Sequence, residues 1–469
     1  MSKFSSQSNF QPNSNRLIIA ARIGFAITIV LIPVRYRWVL LARPMPPLYD
    51  DYTNFLLFAV DVAMITTLIL WTLTISIWHR KLTLGPRHIW IPLAGLTLAG
   101  GISAISSFDP LLSIYHAIRL ILLFWFYVFI VNEIHSAAWV LVPVGFQVVI
   151  QAIVAVGQFW VQHSLGLQNL GEHLLDPSVS GISIVSANGI RLLRAYGLSD
   201  HPNILGGCLA FSLVLLFSAY LYSAKPARLL TAILPGFLAL LITFSRSAWL
   251  AFLGGSFVVS GMVLIRGRRS ALRRISLLFL ISLFLLIPFI IAYSGFFGTR
   301  LNANNSFNTP SEEQQSIGER FLLINSTLPI FLKHPFFGVG LGASPRALEA
   351  AFPNFPVGYE PPHFTFFDAA LETGIPGATF YITLIISPFL VFISRRESIL
   401  SNPLALTVIA LLLSLTIVGL FDYYTWFLVP GRLWQWLAWG LWAVAYNQIP
   451  SLPRTNTPVN VKDSPCPSN

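Results

Sequence analysis

A chain of 469 residues that is 55% hydrophobic and only 10% charged, with a mean hydropathy of +0.71, is too apolar for a soluble domain, which carries about 25% charged residues. Its net charge of +11 does not point to nucleic acid, because the basic residues stand in short clusters between apolar runs. Many of those runs reach roughly 18 residues or more, enough to cross a ~30 Å hydrocarbon core. Runs this continuous are helices rather than barrel strands.

In chain order, a polar N-terminal tail (residues 1–16, "SKFSSQSNFQPNSN") reads as disordered. Twelve candidate spans follow, at Leu17–Val34, Phe55–Trp78, Ile89–Ser106, Leu111–Val131, Ala138–Trp160, Ile204–Tyr222, Leu229–Thr243, Ala248–Ile265, Ile275–Phe296, Ile375–Ile393, Leu404–Leu420 and Leu433–Tyr446. The first lacks a small-residue cleavage site and holds Arg22, so it reads as a signal anchor. Residues 447–469 form a second polar tail. Cys208 falls in a span and Cys466 in the tail, so no disulfide is expected. The fold class is an all-α polytopic membrane protein with about twelve transmembrane helices, divided into a five-helix region (17–160) and a core (161–446).

Orientation follows from Lys and Arg. With both termini in the cytoplasm, the inner segments hold "HRKLTLGPRH", "SAKPAR", "RGRRSALRR" and "SRRES", as the positive-inside rule demands. The outer segment "RYRWVLLARP" is an exception. Two outer segments are long, Val161–Asn203 and Phe297–Gly374. Connections of that length are usually functional or disordered. The second carries a helical pattern in "IGERFLLINSTLPIFLKHP", where Phe321, Ile324, Leu328 and Phe331 recur at helical spacing, as on a helix lying on a bilayer.

The chemistry-bearing residues gather on the outer side of this topology. In "RLLRAYGLSDHPNILGG", Arg194 offers planar donors suited to phosphate. Asp200 and Asn203 are candidates to cap the next helix, and Gly206 and Gly207 permit close backbone approach. Arg246 stands in the turn of "TFSRSAWLAF", with Ser247 as a candidate cap. Arg320 opens "ERFLLINSTLPIFLKHPFFGVGLG", whose glycines permit amides to face a ligand. Asp422 and Arg432 bracket "GLFDYYTWFLVPGRLWQW", where most aromatics read as an interfacial belt. Each arginine alone has a second reading as a residue snorkelling to headgroups. Together, Arg194, Arg246, Arg320 and Arg432 come from separate segments and point to one anion, with pyrophosphate the natural candidate. No clustered carboxylates and no Cys/His metal spacing appear on that side, so no metal and no cofactor is expected. His363, in "PPHFTFFDAALETGIPG", supplies an ionisable group suited to general base work. The positive end of the following helix favours its uncharged form, Gly374, Pro376 and Gly377 break that helix, and Glu372 is a candidate to orient the turn or the base.

These segments resemble, in order and at similar separations, the O-antigen ligase and polymerase superfamily. "RAYGLSDHPNILGG" looks like its Arg…Gly…Pro-Asn segment, "TFSRSAWLAF" its Ser-Arg turn, "ERFLLINSTLPIFLKHPFFGVGLG" its Arg…Pro-hydrophobic-Gly-x-Gly segment, and "HFTFFDAALETGIPG" its His-Asn…Glu-x-Gly-x-x-Gly segment. Phe364 departs from the family, where many members have Asn. The likeness runs from about Arg191 to Gly440. It implies a GT-C-like membrane glycosyltransferase in the bacterial inner membrane, acting at the extracytoplasmic face. The donor it implies is a polyprenyl (undecaprenyl) diphosphate-linked glycan, and the acceptor a lipid-anchored or carrier-linked glycan. Carried over to this chain, Arg194 and Arg246 bind the diphosphate, with Arg320 and Asp422 in support, and His363 activates the acceptor hydroxyl. Ligase and polymerase share this chemistry, and a chain-length regulator is a conceivable partner. The reading from another class is a small-anion transporter. Asp61, Arg119, Glu133 and Gln151 are its candidate intramembrane polar residues, but they form no evident relay or repeat.

Overall fold

The computed structural model describes residues 12–301 and 312–449. Most of the two tails and the stretch "NANNSFNTPS" lie outside the described residues. The described chain is mostly helical, with two small hairpins. In order it runs α1 (Pro12–Leu31), β1 (Arg37–Leu41), β2 (Phe55–Phe58), α2 (Ala59–Trp78), α3 (Arg87–Ser103), α4 (Pro110–Glu133), α5 (Ala138–Val161), β3 (Ile184–Ala187), β4 (Ile190–Leu193), α6 (Pro202–Tyr222), α7 (Ala227–Ile242), α8 (Arg246–Ile265) and α9 (Arg269–Ala292). Then come α10 (Ser294–Leu301), α11 (Glu312–Lys333), α12 (Ser344–Ala351), α13 (Thr365–Ser394), α14 (Arg396–Ser401), α15 (Pro403–Gly419), α16 (Tyr424–Phe427) and α17 (Val429–Asn447).

Among the described residues, eight helices are long and apolar enough to cross a membrane, and α7 and α15 are shorter apolar helices. Each of the twelve expected spans falls on a helix, with α1 and α17 at the two ends. The second begins later than expected. Phe55–Phe58 is strand β2, paired antiparallel with β1, because its residues continue the hairpin opened by "RWVLL". Several helices begin on a cap and a proline: Asp109 accepts from Leu112 N before Pro110, and Asn402 accepts from Leu404 N and Ala405 N before Pro403.

Helix α6 is the centre of the fold, packed by α5, α7, α8, α15 and α17. The five N-terminal helices are interleaved with the rest, since α3 lies on α13, α4 on α17 and α5 on α7. The aromatics around α16 and α17 correct the expected belt. Tyr424, Trp426, Trp434, Trp436, Trp439 and Trp442 are all buried in the core, because α17 threads between α4, α6 and α15 instead of facing lipid. The polar residues weighed for a transporter are committed to structure. Arg119 bonds Asp61. Glu133 accepts from Arg22 (3.2 Å), Arg80 (2.6 Å) and Trp71 Nε1 (3.1 Å). Gln151 accepts from Leu198 N.

Helix α13 is two helices joined at a kink. Gly374 there has φ +69° and ψ −175°, which L side chains rarely adopt, and a Cβ would stand 2.3 Å from the Phe336 carbonyl oxygen. Gly374→Ala is expected to cost about 1–3 kcal/mol or more. It should lower the thermal midpoint of the detergent-solubilised protein. Gly318→Ala, inside α11 where a Cβ meets nothing within 4 Å, is the control that should not lower it.

Candidate active site

The break at Gly374 and the glycine-rich turn before α12 fit one another. Gly338, Gly340 and Gly342 all have positive φ. Val339 N donates to Leu371 O and Gly340 N to Glu372 O, carbonyls that the kinked helix leaves without its own partners. The turn amides expected to face a ligand therefore hold α13 instead. The segment before α13 lies on the wall of a cavity of about 1070 Å³.

The cavity collects residues distant in sequence. Arg191 and Arg194 come from the β4 region, His201 and Asn203 from the start of α6, Arg246 from the start of α8, Arg300 from α10, Arg320 from α11, and Glu360 and His363 from the segment before α13. Of the residues singled out by sequence, Arg194, Arg246, Arg320, Asn203 and His363 line it together.

Arg194 is buried, 4% exposed. Its Nε donates to Thr243 O (2.7 Å), one terminal nitrogen to Ser183 Oγ (2.8 Å) and the other to Asn203 Oδ1 (2.6 Å). Asn203 Nδ2 donates to Asp422 Oδ2 (3.2 Å), and the Asp422 carbonyl accepts from Thr365 Oγ1 (2.7 Å). One chain of hydrogen bonds thus runs from Arg194 through Asn203 and Asp422 to the first residue of α13. The cap of α6 is His201, whose Nδ1 accepts from Asn203 N (3.1 Å). Asp200, expected as a cap, instead binds Arg35 and Arg37, each at 2.7 Å. Arg246 is the first residue of α8, and its side chain donates to Arg300 O (3.3 Å). Ser245, not Ser247, holds the cap position there. On α11, Arg320 presents a buried Nε that has no hydrogen-bond partner among the described residues.

Glu372 and Arg432 are not in the cavity. Glu372 is buried and accepts from Ser344 Oγ (3.1 Å) and Trp426 Nε1 (2.9 Å). Arg432 is buried with its Nε on Trp426 O and a terminal nitrogen 3.4 Å from His116 Nδ1. They brace the kink of α13 against α16 and α17 through Trp426.

His363 meets the edge of the Tyr423 ring at right angles, centroid to centroid 4.8 Å. Its Nε2 lies 3.7 Å from Glu360 Oε2. Burial is the main reason its pKa falls to about 4; Asp422 pulls it up and Arg320 pushes it further down. The imidazole is therefore neutral at physiological pH, as expected, but burial rather than the helix end is the main cause. Glu360 is pushed up to about 7 by burial and by Asp422 and Glu319, against Arg320. Sequence reasoning passed over Arg191, Arg300 and Glu360. Arg191 and Arg300 carried a usable signal, since both are basic residues in outer segments where basic residues are disfavoured. Among the described residues, no three His, Cys, Asp or Glu side chains converge as a metal-holding group.

Residues 229–382 match the family model described as O-Antigen ligase. The matched region holds Arg246, Arg320 and His363, while Arg194, Asn203 and Asp422 lie outside it. The match bears out the resemblance drawn from the motifs. No curated protein matches the chain.

Proposed function

We propose, from the O-antigen ligase match over residues 229–382, that this multi-pass membrane protein transfers a glycan from a polyprenyl diphosphate carrier to an acceptor hydroxyl. The observation that carries the reading is the cavity wall. Five arginines from four segments stand around one space that also holds a neutral histidine. Arginine forks match diphosphate oxygens and stabilise charge that develops as the carrier leaves. In this reading Arg246, Arg300 and Arg320 hold the diphosphate, and Arg194 adds fixed charge while shaping the wall. No metal is invoked.

His363 Nε2 accepts the hydrogen of the acceptor hydroxyl, whose oxygen attacks the anomeric carbon as the bond to the diphosphate breaks. One in-line step inverts that centre. The chain would cross the bacterial cytoplasmic membrane twelve times with both termini inside, and the cavity would open on the outer side. The acceptor would be a lipid-anchored glycan in a ligase or a second carrier-linked glycan in a polymerase.

The test is release of polyprenyl diphosphate from a diphosphate-linked oligosaccharide by the purified protein, with candidate acceptors and a chelator. Acceptor-dependent release that survives chelation supports the reading. A ladder of product sizes marks a polymerase and a single transfer a ligase. Arg246→Ala and Arg320→Ala should each weaken carrier diphosphate binding about tenfold to a hundredfold, read by titration at fixed ionic strength. Solute flux into liposomes that Arg246→Ala abolishes, without any release, would replace this reading with a transporter.

A further inference from the structure

A carboxylate is out of place in an anion site. Glu360 stands on the cavity wall among arginines, its side chain 44% exposed. Its charge works against binding a diphosphate. Among the described residues, the ion-pairing group within 4 Å of it is not an arginine but His363, three residues on, with Nε2 3.7 Å from Glu360 Oε2. The other ring nitrogen, Nδ1, is buried without a hydrogen-bond partner among the described residues. The ring is fixed by the Tyr423 edge. Nε2 is therefore the nitrogen that faces both the cavity and the carboxylate. A hydroxyl that donates its one hydrogen to Nε2, about 2.8 Å away, fits beside the carboxylate, and once the ring is protonated its attraction to Glu360 closes the 3.7 Å gap to hydrogen-bond reach.

We propose that Glu360 is a second catalytic residue, which takes over from His363 the proton released by the acceptor hydroxyl and returns it to solvent. The inference rests on the transferase reading above. As the new bond from oxygen to the anomeric carbon forms, the bond from that carbon to the diphosphate oxygen breaks, and the diphosphate leaves with the electron pair. The hydroxyl proton moves to His363 Nε2 and then to Glu360 Oε2. The imidazole ends neutral, as it began, and the carboxylate ends as a carboxylic acid. The division suits the two environments. The enclosed imidazole is a poor place to keep a positive charge, whereas the half-exposed carboxyl can release its proton to water.

The groups facing Glu360 are Glu319 and Arg320 of α11, Asp422 and Tyr423 after α15, Tyr52 from the segment between β1 and β2, and His363. With these around it Glu360 titrates above the ordinary carboxylate value, through partial loss of surrounding water on the cavity wall and the neighbouring Asp422 and Glu319. The ionised form is the one that accepts a proton, so turnover should rise with pH through its titration.

The experiment compares Glu360→Gln and Glu360→Asp with the wild type. It uses the acceptor that supports wild-type release and measures kcat and KM from about pH 5.5 to 8.5. Binding of undecaprenyl diphosphate is measured beside it. Glu360→Gln should lower kcat roughly 100-fold and remove the acid limb, while binding the diphosphate as tightly as wild type or more tightly. Glu360→Asp should recover part of kcat and keep a limb. A merely structural role would weaken binding along with turnover. Glu360→Gln with wild-type kcat and limb would overturn the inference and leave the transferase reading standing. A wild type that releases no carrier with any acceptor would overturn both.

Discussion

His363→Ala is expected to lower turnover about 1000-fold while leaving carrier diphosphate binding near wild type. The ring sits on the cavity wall but donates nothing to the arginines, so its loss should act on the acceptor alone. His363→Gln should be nearly as slow, because an amide can bond a hydroxyl but cannot hold its proton. The pH profile adds a second check. Folding lowers the His363 pKa to about 4, so its neutral form persists from there upward. A limb near neutrality in the wild type must then belong to another group, and raising pH above about 5 should not recruit His363 further. Full turnover by His363→Ala in single-turnover assays would remove the imidazole from the mechanism.

Arg194→Ala should do a different kind of damage. Thr243 O, Ser183 Oγ and Asn203 Oδ1 would lose their donor inside a buried site. Hydrogen bonds to a charged group contribute about 1.5–3 kcal/mol each, and buried polar groups left unpaired cost a similar amount. The expected result is a lower thermal midpoint together with loss of both carrier binding and turnover, because the α7–α8 turn that presents Arg246 hangs on Thr243. Arg194→Lys should rescue charge but not shape, since one ammonium cannot span three separated acceptors. If Arg194→Lys matched wild type in midpoint and turnover, Arg194 would be a simple point charge.

The helices were legible because crossing a membrane needs long apolar runs. What those runs cannot say is which side faces protein. Helices α6 and α9 have mean hydropathies of 2.2 and 2.9, yet α6 is 94% buried and α9 only 6%. Lipid and protein interiors accept the same side chains, so hydropathy carries no signal for packing. For the same reason the pattern Phe321, Ile324, Leu328 on α11 found a helix but not its inner face. Leu323, Thr327 and Ile330 are buried there, and Phe321 and Leu328 are exposed. Of the candidate site, Arg194, Arg246, Arg320 and His363 were picked out because a cation or an imidazole in an outer segment of a membrane protein is costly and therefore conspicuous. Arg432 and Glu372 looked equally conspicuous, but their cost is offset by Trp426, Ser344 and His116, partners that only the folded chain brings near. Glu360 gave no signal because a single glutamate in a loop is ordinary.

On the transferase reading, the ion pairs of the β1–β2 hairpin bear on how fast a donor is captured. Arg35, Arg37 and Arg43, which made "RYRWVLLARP" an exception, are paired with Asp200, Asp51 and Asp109. Their charge is cancelled locally and contributes little at a distance. Among the described residues, the cavity wall holds five arginines and two glutamates. On the transferase reading, a wall with this excess of arginines focuses an attractive field for anions at the cavity. An anionic headgroup diffusing in the plane of a membrane would be drawn to that cavity and not to the hairpin. Capture rate, more than final affinity, should then fall as ionic strength rises and the Debye length shrinks below the reach of that field.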